Sequence, residues 1–268
     1  MHIRNSEGAH AARHLLSCLV ASWLILSPYT QAQEWIDLTH DLSSDAVFWP
    51  TAEPFEMRTD FEGYTERGYY YSAYTFTTAE HGGTHIDAPV HFAEGKHAVN
   101  EIPLESLIGE AVVLDLRKSV GDNCNYLIST ADIKAWEKAH GQIKEGAIVL
   151  LRTGFGQFWP DAKTYLGTEL RGQAGVAKLC FPGLSPEAAT WMAETRKINA
   201  VGIDTASIDH GASKDFAAHV NLMTNNIPAF ENLANLDQLP ATGVYVIALP
   251  VKIRGGSGGP LRIVARVD

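Results

Sequence analysis

Apolar positions along this chain fall into short, nearly unbroken runs rather than long helical stripes. Residues 111–116 (AVVLDL) and 147–152 (AIVLLR) have the length and β-branched content of strands buried on both faces, and residues 200–204 (AVGID) and 244–251 (VYVIALPV) repeat the pattern. Residues 35–42 (WIDLTHDL) alternate weakly and predict a first strand. Residues 69–78 (YYYSAYTFTT) predict another from their tyrosine and threonine content. Between these runs, residues 130–136 (TADIKAW) open a helix capped by Thr130 that ends near Gly141. Ser185-Pro186-Glu187 opens a second helix, with proline at its first position, that runs to about Lys197. Residues 255–260 (GGSGGP) read as a loop suited to close backbone approach, without the pattern of a phosphate cradle. Strands with interspersed helices and no internal repeat make an α/β or α+β domain.

Composition and charge narrow the partners. The 268 residues are 46% hydrophobic and 19% charged, enough apolar side chain for a sizeable core. A formal net charge of -10 and the lack of any Lys/Arg run argue against nucleic acid or an anionic membrane surface as partner. The first 32 residues read as a leader. Arg4 and Arg13 precede an apolar run at residues 15–26 (LLSCLVASWLIL), and Thr30-Gln31-Ala32 has the small residues of a cleavage site. The run is short of the ~20 residues that a membrane span needs. The expectation is a signal peptide at residues 1–32, a folded domain at 33–268, and a periplasmic or secreted protein with no membrane contact after processing. Cys18 precedes most of the apolar run, which argues against a lipid anchor. Cys124 and Cys180 remain after cleavage, and paired and unpaired states are both compatible with the sequence.

The candidate chemistry is concentrated in residues 81–92 (HGGTHIDAPVHF). His81, His85, His91 and Asp87 are side chains that divalent transition ions prefer. Gly82, Gly83 and Pro89 oppose a helix, so an extended chain is expected, with all four groups at odd positions and therefore on one face. A merely solvated polar strand accounts poorly for three imidazoles and a carboxylate facing one way. Thr84 is placed to hydrogen-bond a ligating group. His97 shares the odd parity but follows the turn residues 93–96, and is expected at the surface. Phe48-Trp49-Pro50 is an exposed aromatic loop, either a substrate wall or a hydrophobic plug. His219 and Glu231 are the later candidate ligands. Taken alone they are equally a surface helix residue and a helix-opening acid.

The run HGGTHIDAPVHF, then GIDTASID at residues 202–209, then His219 and Glu231 twelve apart with Asn232-Leu233 following, resembles the cyclase family of metal-dependent hydrolases. That family includes bacterial kynurenine formamidases and isatin hydrolases. The resemblance implies a swivelling β/β/α domain, assembled as a homodimer or homotetramer with active sites near subunit interfaces. It implies that His81, His85, Asp87, His219 and Glu231 hold one or two divalent ions, Mn²⁺ or Zn²⁺, with Asp87 and Glu231 able to bridge. It implies His91 as the proton donor or acceptor and Trp49, with Phe48 beside it, as substrate contacts. The expected reaction is hydrolysis of an aromatic amide, isatin to isatinate, by hydroxide generated at the ion. Deformylation of N-formylkynurenine is the alternative within the family, and a non-catalytic secreted metal-binding protein is the alternative outside it. The segment 155–180 is longer than in typical formamidases.

Overall fold

The computed structural model describes residues 33–267, so the leader expected at residues 1–32 lies outside the described residues. The strands are β1 (Glu34–Asp37), β2 (Glu56–Tyr64), β3 (Tyr70–Thr77), β4 (His85–Asp87), β5 (Ile108–Asp115), β6 (Leu127–Ile128), β7 (Ile148–Arg152), β8 (Gly183–Leu184), β9 (Ala200–Ile203), β10 (Ala229–Glu231), β11 (Val244–Pro250) and β12 (Gly258–Val267). The α-helices are α1 (Arg117–Val120), α2 (Thr130–His140), α3 (Ala162–Tyr165), α4 (Gly172–Val176), α5 (Pro186–Trp191) and α6 (Ala217–Met223).

Eight strands form one sheet in the order β1-β12-β11-β5-β7-β9-β10-β4, parallel from β5 to β10 and antiparallel elsewhere. β4 also pairs with the start of β12, which curls the sheet into a closed, barrel-like layer. Successive residues on its strands enter two different cores. Ile148, Leu150, Val113 and Phe230 pack inside the curve, whereas Val149, Leu151, Val201 and Ile203 pack outward against Ile133 of α2, Ala188 of α5 and Leu222 of α6. Burial on both faces is why these strands read as unbroken apolar runs.

Several local expectations are corrected. β1 stops at Asp37, with only Thr39 bridging onward to Leu233. The cap of α2 is Ser129, which forms a reciprocal capping box with Asp132, so Thr130 is the first helical residue. α5 starts as expected from Ser185 and Pro186, and a π-helical turn carries it to Arg196 before Lys197 at φ 50° ends it. The loop expected at residues 255–260 gives way at Gly258 to the ten-residue β12. His97 is half-buried rather than at the surface. Its Nδ1 has no hydrogen-bond partner. The strand expected at residues 69–78 exists as β3 (Tyr70–Thr77), outside the eight-stranded sheet. Among the described residues it pairs only with β2, in a separate two-stranded arm. Cys124 and Cys180 are joined as a disulfide, with Cα atoms 5.2 Å apart.

Candidate metal centre

Register places the first ligand pair. β4 lies between β10 and β12, with His85 opposite Glu231 and Asp87 opposite Ala229. Side chains directly opposite in an antiparallel pair share a face, and so do positions two apart on one strand. His85, Asp87 and Glu231 therefore project together. Ile86 and Phe230 point the other way, into the inner core. The small Ala229 leaves room beside Asp87.

His219 comes from α6. Asp209 receives the backbone N–H groups of Ala218 and His219, each at 3.1 Å, and the Nδ1–H of the His219 ring at 2.6 Å. One carboxylate thus anchors the helix start and turns the imidazole so that Nε2 faces Asp87 at 3.0 Å and Glu231 at 3.1 Å. His85 is fixed in the same sense. Its Nδ1–H donates to the Gly83 carbonyl at 3.0 Å, and its Nε2 faces Asp87 at 3.1 Å and Glu231 at 3.5 Å.

The expected extended face holds only in part. Gly83 adopts φ +59° and breaks the strand, so His81 enters from a turn, with Nδ1 2.6 Å from Asp87. His91 sits on a 3-10 turn, Pro89–His91, and its ring stacks on His81 at a centroid distance of 3.9 Å. All five expected ligands and His91 still come together. Thr84 works one step outward: its hydroxyl donates to the Asn232 carbonyl and accepts the His40 N–H.

The donor chemistry fits a divalent ion. Among the described residues, His81, His85 and Asp87 form one group and Asp87, His219 and Glu231 another, each with its ligand atoms within 4.8 Å of one another. Asp87 belongs to both. The centre is a convergence of imidazole nitrogens and carboxylate oxygens, nearly all of them buried, at which a cation would replace the imidazole protons. The protonation balance shows the same demand for positive charge. Burial pushes His85 down, but the Asp87 hydrogen bond and the charges of Asp87 and Glu231 reverse this and hold it at about 9. Burial likewise opposes the charge of His219, and its bonds to Asp209, Asp87 and Glu231 raise it well above the usual imidazole range. Asp87 is held well below the carboxylate range despite burial, by the charge of His81 and hydrogen bonds from three imidazoles. Burial and the Asp87 charge push Glu231 up. His91 behaves oppositely. Burial lowers it to about 4, against the raising charge of Asp87.

Above the centre is a cavity of about 260 Å³. Phe48 and Trp49 both line it, with Phe92 and Phe216. Phe48, expected to be exposed, is buried at 4% exposure and bridges Gly82, while Trp49 is half-buried against Phe181 and Phe216. Sequence reasoning assigned no role to Asp209, Phe92, Phe216, Glu80 or Ser257. Asp209 and Phe92 had a signal in their places in GIDTASID and HGGTHIDAPVHF.

The Cyclase family model, described as "Putative cyclase", matches residues 36–210. The chain is 31% identical over 212 residues to the isatin hydrolase of Roseibium aggregatum, covering 76% of this chain and 78% of that protein. It is 29% identical over 238 residues to the kynurenine formamidase of Bacillus thuringiensis, covering 88% and 99%. Among solved structures, isatin hydrolase A from Labrenzia aggregata bound to benzyl benzoate superposes with a TM-score of 0.78 at 34% identity, covering 88% of this chain and 94% of that one.

Proposed function

The chain belongs to the cyclase family of metal-dependent hydrolases, and from that premise we propose that it opens the five-membered amide ring of isatin or a close aryl analogue. One observation carries the reading: buried imidazole and carboxylate ligands converge on Asp87 at the floor of a cavity walled by Phe48, Trp49, Phe92 and Phe216. His81, His85, Asp87, His219 and Glu231 would hold one or two ions, and Mn²⁺ and Zn²⁺ both suit such ligands. A divalent ion bound there supplies Lewis acidity and lowers the pKa of a water from 15.7 to about 7.

The chain's own residues then divide the work. With its pKa at about 4, His91 is a neutral imidazole at pH 7. It accepts a proton from the attacking water as the new C–O bond forms, and returns it to the ring nitrogen as the C–N bond breaks. The aromatic walls hold the fused ring flat and exclude water from the cavity. A structural site would be closed, usually with four ligands rich in cysteine. Here both described cysteines are in a disulfide, and an extra histidine stands beside the ligands.

Two further parts of the reading rest on other features. Residues 1–32 act as a cleaved export signal that delivers the enzyme to the periplasm or the exterior, and the Cys124–Cys180 bond supports an oxidising compartment. The enzyme is a homodimer or homotetramer, supported by the exposed aromatic side chains of the β2–β3 arm. Kynurenine formamidase is the second reading, favoured by the 99% coverage of that relative.

The test is hydrolysis of isatin and of N-formylkynurenine by protein stripped of metal and reloaded with Mn²⁺ or Zn²⁺. Metal-dependent ring opening well above deformylation is the expected result. The reverse ratio establishes the formamidase, and no turnover of either substrate with either ion rejects the aryl-amide reading.

A further inference from the structure

Each histidine at the centre needs its ring proton held on the nitrogen that faces away from the ion. For His85 the holder is the Gly83 carbonyl and for His219 it is Asp209, both able only to accept. His81 differs. Its outward nitrogen, Nε2, lies 2.9 Å from the Ser257 hydroxyl, and a hydroxyl can donate as well as accept. If Ser257 donated to Nε2, the ring proton would move to Nδ1 and face Asp87, blocking ligation.

Glu80 removes that ambiguity. Its Oε2 accepts the Ser257 hydroxyl proton at 2.7 Å and the Ser257 backbone N–H at 3.1 Å. A hydroxyl has one proton, so once it is given to Glu80 the oxygen can only accept from Nε2–H. Nδ1 is then the nitrogen that faces the centre, and the proton it shares with Asp87 at 2.6 Å in the ion-free chain is the one an ion displaces to take its lone pair. The relay stands on a fixed strip of backbone: the Ser257 carbonyl accepts the Ala88 N–H at 2.8 Å and the Gly256 carbonyl accepts the Val99 N–H at 3.0 Å. Gly258 lies so close that a Cβ there would meet the His81 ring at 2.5 Å. We propose that Glu80 and Ser257 are positioning residues that lock His81 in the tautomer presenting Nδ1 to the metal.

The inference rests on the metal-centre reading above, and the experiment separates the two. Mn²⁺ and Zn²⁺ affinity by chelator competition, the thermal midpoint of the metal-free chain, and the ¹⁵N shifts of the His81 ring are measured for wild type, Ser257→Ala, Ser257→Thr and Glu80→Gln. Ser257→Ala is expected to weaken metal binding by about 10- to 100-fold, the usual effect of losing such an outer hydrogen bond. Ser257→Thr, which keeps the hydroxyl, is expected to restore it. Glu80→Gln can offer an N–H to Ser257, and is expected to weaken binding and move the His81 proton from Nε2 towards Nδ1. If Ser257→Ala does not fold, Ser257→Thr and Glu80→Gln carry the test. Wild-type affinity in Glu80→Gln with the tautomer unchanged, or a fall in metal-free midpoint with no change in affinity, overturns the relay. A wild-type chain that takes up neither ion overturns the metal centre itself.

Discussion

At the floor of the cavity, His85, Asp87, His219 and Glu231 are ionisable groups at 2–3% exposure; along the β2–β3 arm, Met57, Tyr64, Tyr70 and Phe76 are apolar groups at 54–78%. The two regions depart from ordinary burial in opposite directions. The buried cluster is fixed from within the chain, by Asp209, by the Gly83 carbonyl and by the strand register. What it still calls for is positive charge. The arm is held by its own ladder and a few ring contacts, such as the tilted pair Phe61–Tyr71. Its exposed aromatic side chains are what the proposed subunit contact rests on, since large exposed apolar surface is a mark of interaction sites. On the reading proposed above, one region takes a small cation and the other a second subunit, so a perturbation should strike one and spare the other.

The largest effect is expected from Asp87→Asn, because Asp87 is shared by both ligand groups. Loss of metal removes several kcal/mol of transition-state stabilisation, so isatin hydrolysis should fall on the order of 10³- to 10⁴-fold. Elution of the assembly on size exclusion with light scattering should stay as in wild type. His91→Ala comes next. Turnover should drop about 10²- to 10³-fold while metal content by elemental analysis is retained, because a general acid–base group is lost without loss of a ligand.

The arm tests the other side. Tyr70→Glu with Phe76→Lys should shift the assembly towards the monomer by sedimentation. The stability of each folded chain should change by only about 0.5 kcal/mol, as surface substitutions usually do. An unchanged assembly would sever the link between exposed aromatics and oligomer.

The smallest effect on activity and assembly is expected at His40, where the readout is the pH dependence of stability. His40 stacks on Trp159, its Nε2 has no hydrogen-bond partner, and burial holds its pKa down at about 4 against the raising charges of Asp41 and Asp37. The unfolded chain binds that proton near pH 6.5 and the folded chain only near 4, so stability contributed here is complete above 6.5 and is lost as pH falls towards 4. His40→Gln should flatten the decline in denaturation midpoint over that window. An unchanged slope would remove His40 as its source.

Legibility followed distance along the chain. His81, His85 and Asp87 lie within seven residues, so spacing alone exposed them, although the shared extended face applies only to His85 and Asp87 on β4. His219 binds Asp87 from 132 positions away, and no local period announces such a pair, so His219 and Glu231 rested on the family resemblance. The groups that orient the imidazoles, Asp209, Ser257 and Glu80, are common polar residues, and only hydrogen bonds across the fold distinguish them. The buried strands were legible because both of their faces meet apolar cores. β12 was hidden at its start by Gly258-Gly259-Pro260, and β2 by the charged run EMRTDFEGY. The sequence showed β3 as a strand but not that it stands away from the barrel, because nothing in a tyrosine-rich run records what lies over it.

The central claim is that the buried cluster binds a catalytic cation, and its most direct test is titration of Mn²⁺ into the metal-stripped chain with uptake and isatin opening followed in the same sample. The account predicts saturable uptake of one or two ions per chain, with activity rising in step and neither response in Asp87→Asn. Isatin opening that is already complete before any ion is added, or uptake that is unchanged in Asp87→Asn, would contradict it.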